Sequence, residues 1–160
     1  MADISLNRGN AASLIGFVAL VLGGGIAIGL LTGPDAWFTA LEKPNFNPPN
    51  WVFAPVWSIL YVMIGVAGWL VWTRARPSAA MTFWWLQLGL NFLWSPVFFT
   101  LHRIPFALAI VVLMTILAWA FVVATTRRVP WAAVLFVPYG LWLMFATALN
   151  TALYVLNPGA

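Results

Sequence analysis

Charged side chains are the strongest constraint on this chain, because they are few and fall in few places. Seven Lys and Arg and three Asp and Glu are all that 160 residues contain. They cut the sequence into charge-free stretches at 9–34, 44–73, 77–101, 104–126 and 129–160. A helix needs about 20 apolar residues to cross the hydrocarbon core of a bilayer. Each stretch is long enough for one crossing and not comfortably long enough for two. The spacing predicts an all-α integral membrane protein: one domain, 1–160, built as a five-transmembrane-helix bundle. The helices are expected at about 11–32, 51–73, 80–101, 105–126 and 130–156.

The same scarcity excludes several kinds of chemistry. Charged residues make up 6% of the chain, against roughly 25% in soluble domains. The net charge of +4 is scattered, so no basic patch suits a nucleic acid. Without cysteine there is no disulfide and no thiolate nucleophile. His102 is the single histidine and cannot build a multi-histidine metal site, so no metal is expected. Asp3, Asp35 and Glu42 all lie outside the apolar spans. An ionised group within a span costs about 2.5–3.5 kcal/mol on insertion scales. Proton-coupled carriers accept that cost for a titratable carboxylate in the membrane; this chain has none. Neither a Walker-type phosphate loop nor a G-x-S-x-G elbow occurs. No internal repeat supports an inverted-repeat transporter.

Residues 1–10 are polar and read as a short tail. The first span carries Gly16, Gly23, Gly24, Gly25 and Gly29, which suit close approach of a neighbouring helix. A signal peptide is the poorer reading, since the apolar stretch is too long and no small-x-small cleavage site follows. Residues 33–50 form the one long loop, with Pro34, Pro44, Pro48 and Pro49 beside Trp37, Phe38 and Phe46. A short helix from Asp35 to Glu42 is expected, its acid near the positive end of the dipole. Such a rigid aromatic loop suits a lid or an interfacial anchor. The other loops are short, including a tight basic turn at Arg74–Pro77, and predict antiparallel sequential neighbours. Arg8, Arg74, Arg76, Arg127 and Arg128 fall on one side, Lys43 and Arg103 on the other. The positive-inside rule then puts the N-terminus in the cytoplasm, with the long loop and the C-terminus outside.

Within the spans the informative residues are uncharged. Gln87, Asn91 and Ser95 recur every four residues and share one helix face, with Trp84, Trp94 and Phe98 on or beside it. An amide in hydrocarbon is costly without a partner. That stripe must face other helices or a cavity, and both readings stay open. The second span offers Trp57 and Tyr61, with Gly65 and Gly68 below. The fifth offers Tyr139, Trp142, Ala146 and Asn150 on one face. Pro55, Pro96 and Pro138 each remove a backbone hydrogen bond. The bends either open a central pocket or adjust packing. A tryptophan-lined pocket without titratable groups suits a large, flat, apolar ligand such as a tetrapyrrole or a sterol. Tetrapyrrole carboxylates are expected to meet Lys43 or Arg103.

Four segments carry a resemblance. They are W-F-x-x-L-E-K-P-x-F-x-P-P at 37–49, V-W-x-x-L-Y at 56–61, Q-L-x-x-N-x-x-W-S-P-x-F-F at 87–99 and V-P-Y-x-x-W-x-x-F-A-T-x-L-N at 137–150. Over about residues 33–150 the chain resembles the TspO/MBR family. Its members are the tryptophan-rich sensory proteins of bacteria and the mitochondrial translocator protein, or peripheral benzodiazepine receptor. The resemblance implies a multi-pass protein of the bacterial cell envelope, usually a homodimer, with a pocket under the first loop. It implies a sensor or translocator that binds tetrapyrroles such as protoporphyrin IX or haem, and transports them or regulates their metabolism. Some members also bind sterols or isoquinoline- and benzodiazepine-type ligands. The alternatives are a light- and oxygen-dependent porphyrin-degrading enzyme and a sterol- or lipid-binding scaffold; no cofactor is required. Matched to the motifs, ligand-binding positions are Phe38, Pro48, Trp57, Asn91, Trp94, Ser95, Trp142, Ala146 and Leu149. Tyr61 and Gln87 join them from the polar and aromatic stripes. Trp57 and Trp142 would be catalytic if porphyrin is degraded. One departure is clear: Tyr154 has no Lys or Arg after it, as the cholesterol motif of animal members requires.

Overall fold

The computed structural model describes residues 8–75 and 78–159, with Arg8 described by its backbone alone. Residues 1–7 of the expected tail and Arg76–Pro77 of the basic turn lie outside the described residues. The described chain is mostly helical, with no strand among the described residues. Hydrocarbon offers no partner for a backbone N–H or C=O, so apolar stretches of this length satisfy their backbone internally.

The elements are α1 (Arg8–Val18), a π-helical turn (Ala19–Gly23), α2 (Gly24–Leu31), α3 (Ala36–Ala40) and α4 (Asn50–Arg74). Then follow α5 (Ala79–Ser95), a second π turn (Pro96–Thr100), α6 (Ile104–Thr125) and α7 (Pro130–Leu156). Prolines open α6 and α7 where the missing N–H costs nothing. Ser78 caps α5 by accepting from the Met81 N–H. Four helices are long and apolar enough to cross a membrane: Gly9–Leu31, α4, α6 and α7. At 17 residues α5 falls short by itself. Its continuation is the π turn, where the Leu101 N–H reaches back to the Pro96 carbonyl at 2.9 Å.

The helices form a closed ring. The first span packs on α4, α4 on α7, α7 on α6, α6 on α5, and α2 returns to α5. The expectation that sequential helices are neighbours holds for α5–α6–α7. It holds only weakly for α4 and α5, because α4 turns its broader contact to α7. The first span is the loosest wall: only 6% of its apolar window is buried within the protein, against 44% for α4.

Buried side chains fall into two clusters. The larger runs through the first span, α4, α5, α6 and α7. Phe121 and Phe136 lie 4.1 Å apart between ring centroids, and Phe136 meets Tyr139 edge-on at 5.2 Å. Trp84 is fully buried and donates its indole N–H to the Ile64 carbonyl at 2.9 Å. Its ring lies on Gly68, where a Cβ would overlap it. The smaller cluster gathers Leu41, Val97, Phe98, Ile104, Ala107, Leu149 and Leu153, joining the 33–50 segment to α5, α6 and α7.

Residues 33–50 are held at several points. Asp35 Oδ1 accepts the Phe38 N–H at 3.0 Å and caps α3, which is shorter than the helix expected over 35–42. Lys43 Nζ donates to the carbonyls of Phe38, Thr39 and Leu41. Asn157, just past α7, accepts the Glu42 N–H at 2.9 Å and donates to the Glu42 carbonyl at 3.0 Å.

A candidate ligand cavity

A cavity of about 460 Å³ opens between the first span, the 33–50 segment, α4, α5 with its π turn, α6 and α7. That is within the usual range for small-molecule sites. Of the residues expected at a site, Phe38, Trp57, Tyr61, Asn91, Trp94, Ser95, Trp142, Ala146 and Leu149 all line it. Pro48 and Gln87 do not. Pro48 shapes the return of the loop and accepts from Asn47 Nδ2, while Gln87 lies fully buried behind the wall.

The wall is mostly aromatic. Trp57 meets Tyr61 at 5.2 Å and Trp142 edge-on at 6.5 Å. Trp94 stacks on Phe98 at 5.1 Å and 14°. Phe38 reaches down to Phe98 and Phe99 at 6.0 and 5.2 Å. The π turn accounts for the last two rings: it presents Phe98 and Phe99 next to one another at the cavity.

The polar stripe of α5 divides along its length. Asn91 Oδ1 accepts from the Tyr61 hydroxyl at 3.1 Å, and its Nδ2 donates to the Tyr139 hydroxyl at 3.1 Å. Tyr139 in turn donates to Gln87 Oε1 at 2.8 Å, and Gln87 Nε2 donates to the Trp84 carbonyl. Ser95 bonds Thr32 Oγ1 at 2.7 Å, joining α5 to the end of the first span. Two of the three stripe residues therefore spend their amides on helix packing, although Asn91 also faces the cavity. Three buried polar atoms have no partner among the described residues: Trp94 Nε1, Asn150 Oδ1 and Asn47 Oδ1. All three residues line the cavity.

Sequence reading missed the contribution of the first span. Gly25, Ile26, Ile28, Gly29 and Thr32 form one wall. A Cβ at Gly25 would overlap the Tyr61 ring, so the ring would have to move to admit one. A glycine-rich span signalled close packing but not that its packing partners were cavity aromatics. Asn150, Phe53, Phe92 and Met114 were also missed as wall residues. Lys43 and Arg103, expected to meet ligand carboxylates, do not line the cavity. The Lys43 ammonium is taken up by three carbonyls and lies 4.8 Å from the Phe38 ring centroid.

One contact between a histidine and a carboxylate is present among the described residues, outside the cavity wall. His102 Nε2 lies 2.9 Å from Asp35 Oδ2, and its ring stacks on Trp37 at 4.2 Å and 24°. The Phe38 N–H is the main influence holding the Asp35 carboxyl below its usual range, with His102 adding to it. His102 adopts φ 52°, the left-handed region. That conformation costs a non-glycine residue on the order of 1 kcal/mol.

The family model described as TspO/MBR matches residues 17–156, nearly the whole chain. The chain belongs to the TspO/MBR family. Protein CrtK of Rhodobacter capsulatus is 37% identical over 151 residues, covering 89% of this chain and 91% of that protein. The tryptophan-rich sensory protein of Cereibacter sphaeroides is 42% identical over 133 residues, covering 81% and 82%. The human translocator protein is 36% identical over 128 residues, covering 77% and 76%. Membership in the TspO/MBR family and the long apolar helices together fit a multi-pass membrane protein.

Proposed function

We propose that this TspO/MBR protein is a membrane sensor or translocator that binds tetrapyrroles such as protoporphyrin IX in the cavity. The observation that carries the reading is an aromatic-walled space of about 460 Å³ with no charged side chain on its wall. Such a wall binds by stacking and shape rather than by charge. In this reading α5 and its π turn make a fifth crossing, and residues 33–50 act as a lid over the site. The protein sits in a bacterial cell envelope with its N-terminus on the cytoplasmic side, as a homodimer. With Lys43 engaged elsewhere, the ligand's carboxylates extend past the wall toward water and lipid headgroups.

Quenching of tryptophan fluorescence by protoporphyrin IX tests the reading. The wild type is expected to bind saturably, and Trp142→Leu to bind about five-fold more weakly. Trp51→Leu serves as the control, since Trp51 is 75% exposed and off the cavity wall. Absence of saturable quenching in the wild type would sink the proposal. A second reading, photo-oxidative breakdown of the porphyrin, is favoured by the edge-on pairing of Trp57 with Trp142 at the wall. It requires that illumination in oxygen consume the porphyrin and that Trp57→Phe or Trp142→Phe abolish the loss.

A further inference from the structure

The chain's single histidine sits outside the cavity wall but at the joint that holds its cover. His102 follows the second π turn and precedes α6. It meets Asp35 and Trp37 at the start of α3, and so touches the 33–50 segment at a point separate from the Asn157–Glu42 contact. Trp37 continues edge-on to Phe98 at 5.7 Å, and Phe38 packs on Phe98 and Phe99. Phe38, Phe98 and Phe99 are cavity wall. A chain of rings therefore runs from the imidazole to the site.

Both contacts of the imidazole depend on its charge. Protonation turns the hydrogen bond to Asp35 into an ion pair and the stack on Trp37 into a cation–π contact. Histidine is the side chain suited to change charge near neutral pH. The left-handed backbone at His102 is unfavourable alone and holds the ring where both partners reach it. The other charged groups of the two packed segments are otherwise placed. Lys43 is bonded to three carbonyls, and neither Glu42 nor Arg103 forms an ion pair among the described residues.

We propose that His102, Asp35 and Trp37 form a proton-sensitive clasp that holds the 33–50 segment over the cavity, tightening when the imidazole carries a proton and loosening when it does not. The clasp controls exchange of whatever the cavity binds; its role in ligand exchange rests on the cavity being a binding site. The sign follows from the two charges. The ion pair exists where the imidazole is protonated and the Asp35 carboxyl is not. It weakens as pH rises and His102 loses its proton. It weakens again in strong acid, when the carboxylate gains one. Asn157 and Lys43 hold the segment by bonds that do not depend on the imidazole, so the segment stays attached while its Trp37 edge loosens.

Two readouts on the full chain in nanodiscs test this. The first needs no ligand: hydrogen exchange of the amides of 36–41 at pH 6.0 and 8.5, corrected for intrinsic rates and referred to the interior of α4. Both half-exposed partners are screened by water, so exchange is expected to be about three- to five-fold slower at pH 6.0. His102→Asn, which tolerates the left-handed backbone and cannot take a proton in this range, is expected to exchange equally at both pH values, near the wild-type rate at 8.5. Asp35→Asn, which still caps α3, is expected to lose most of the ratio. The second readout is release of protoporphyrin IX, followed by recovery of tryptophan emission, with the same ratio and the same variants. A wild-type exchange ratio near one, or a ratio that survives in both variants, overturns the clasp. Failure of protoporphyrin IX to bind would overturn the tetrapyrrole reading and leave the exchange experiment to decide the clasp.

Discussion

The two buried clusters are made of similar residues and do opposite things. Trp84, Phe121, Phe136 and Tyr139 are all enclosed, and each polar atom in the chain from Tyr61 to Gln87 has a partner. Around Phe98 and Leu149, below the 33–50 segment, rings no farther apart border a cavity with unpartnered polar atoms, its wall completed by Trp57, Tyr61 and Trp142 packed on the larger cluster. Composition does not separate them. Backbone geometry contributes to the difference: the second π turn and the first span's Gly25 and Gly29 border the cavity. Close packing is the default of a helical bundle, so an unfilled region bordered by a π turn marks the part of the molecule shaped for something else.

Adding one methyl at each end should break the symmetry most strongly. Gly68→Ala pushes a Cβ into Trp84, which is fully buried and tied to Ile64. Overpacking there is expected to cost about 3 kcal/mol, read from thermal or denaturant unfolding in detergent. Gly25→Ala meets Tyr61, which has the cavity beside it. Its stability cost is expected to be below about 1 kcal/mol, with the penalty appearing as weaker porphyrin binding. Equal destabilisation at both positions would erase the contrast.

Polar atoms give a smaller, sharper version of the test. Tyr139→Phe strands Gln87 Oε1 and Asn91 Nδ2 in a buried site. It is expected to cost about 2 kcal/mol. Asn150→Leu removes a carbonyl oxygen that already has no partner; the same unfolding measurement is expected to return a change near zero or a slight gain.

Much of this arrangement was legible beforehand. Hydrocarbon cannot tolerate an ion or an unbonded backbone, so ten charged residues marked the helices closely, and α7 spans the residues expected. Most of the aromatic wall was legible too, because residues four apart share a face. Depth along that face was not. Gln87 and Asn91 have the same spacing and chemistry, yet one is sealed beneath Tyr139 and the other reaches the cavity. Nor were the π turns. Pro96 hints at the second, but Ala19–Gly23 contains nothing that demands an extra residue per turn. Asn150 was noticed on its helix face without being assigned to the site, since an amide facing a partner and one facing a void look alike in sequence.

The smallest expected effect concerns the cover. Asp35 is held below the usual carboxylate range chiefly by the Phe38 N–H. Its capping of α3 is therefore complete at neutral pH and fades as acid protonates it. Exchange of the α3 amides is expected to rise below the ordinary carboxylate range, and Asp35→Ala to show the raised exchange already at pH 7. The larger cluster should not respond, and protection within α4 measured alongside serves as the internal reference.

A π turn is also a change of phase. It places one more residue in a turn than an α-helix does, about 100° of rotation. The residues of α1 and those of α2 therefore belong to two different helical wheels, and a single wheel drawn over Arg8–Leu31 would misplace one set. Gly25 reaches Tyr61 on the second wheel. A relative whose first span is plain α-helix can keep the same wall only with one residue fewer between its α4-facing half and its cavity-facing half. A one-residue gap in an alignment at Ala19–Gly23 would then be the trace of a conserved shape rather than of a divergent one.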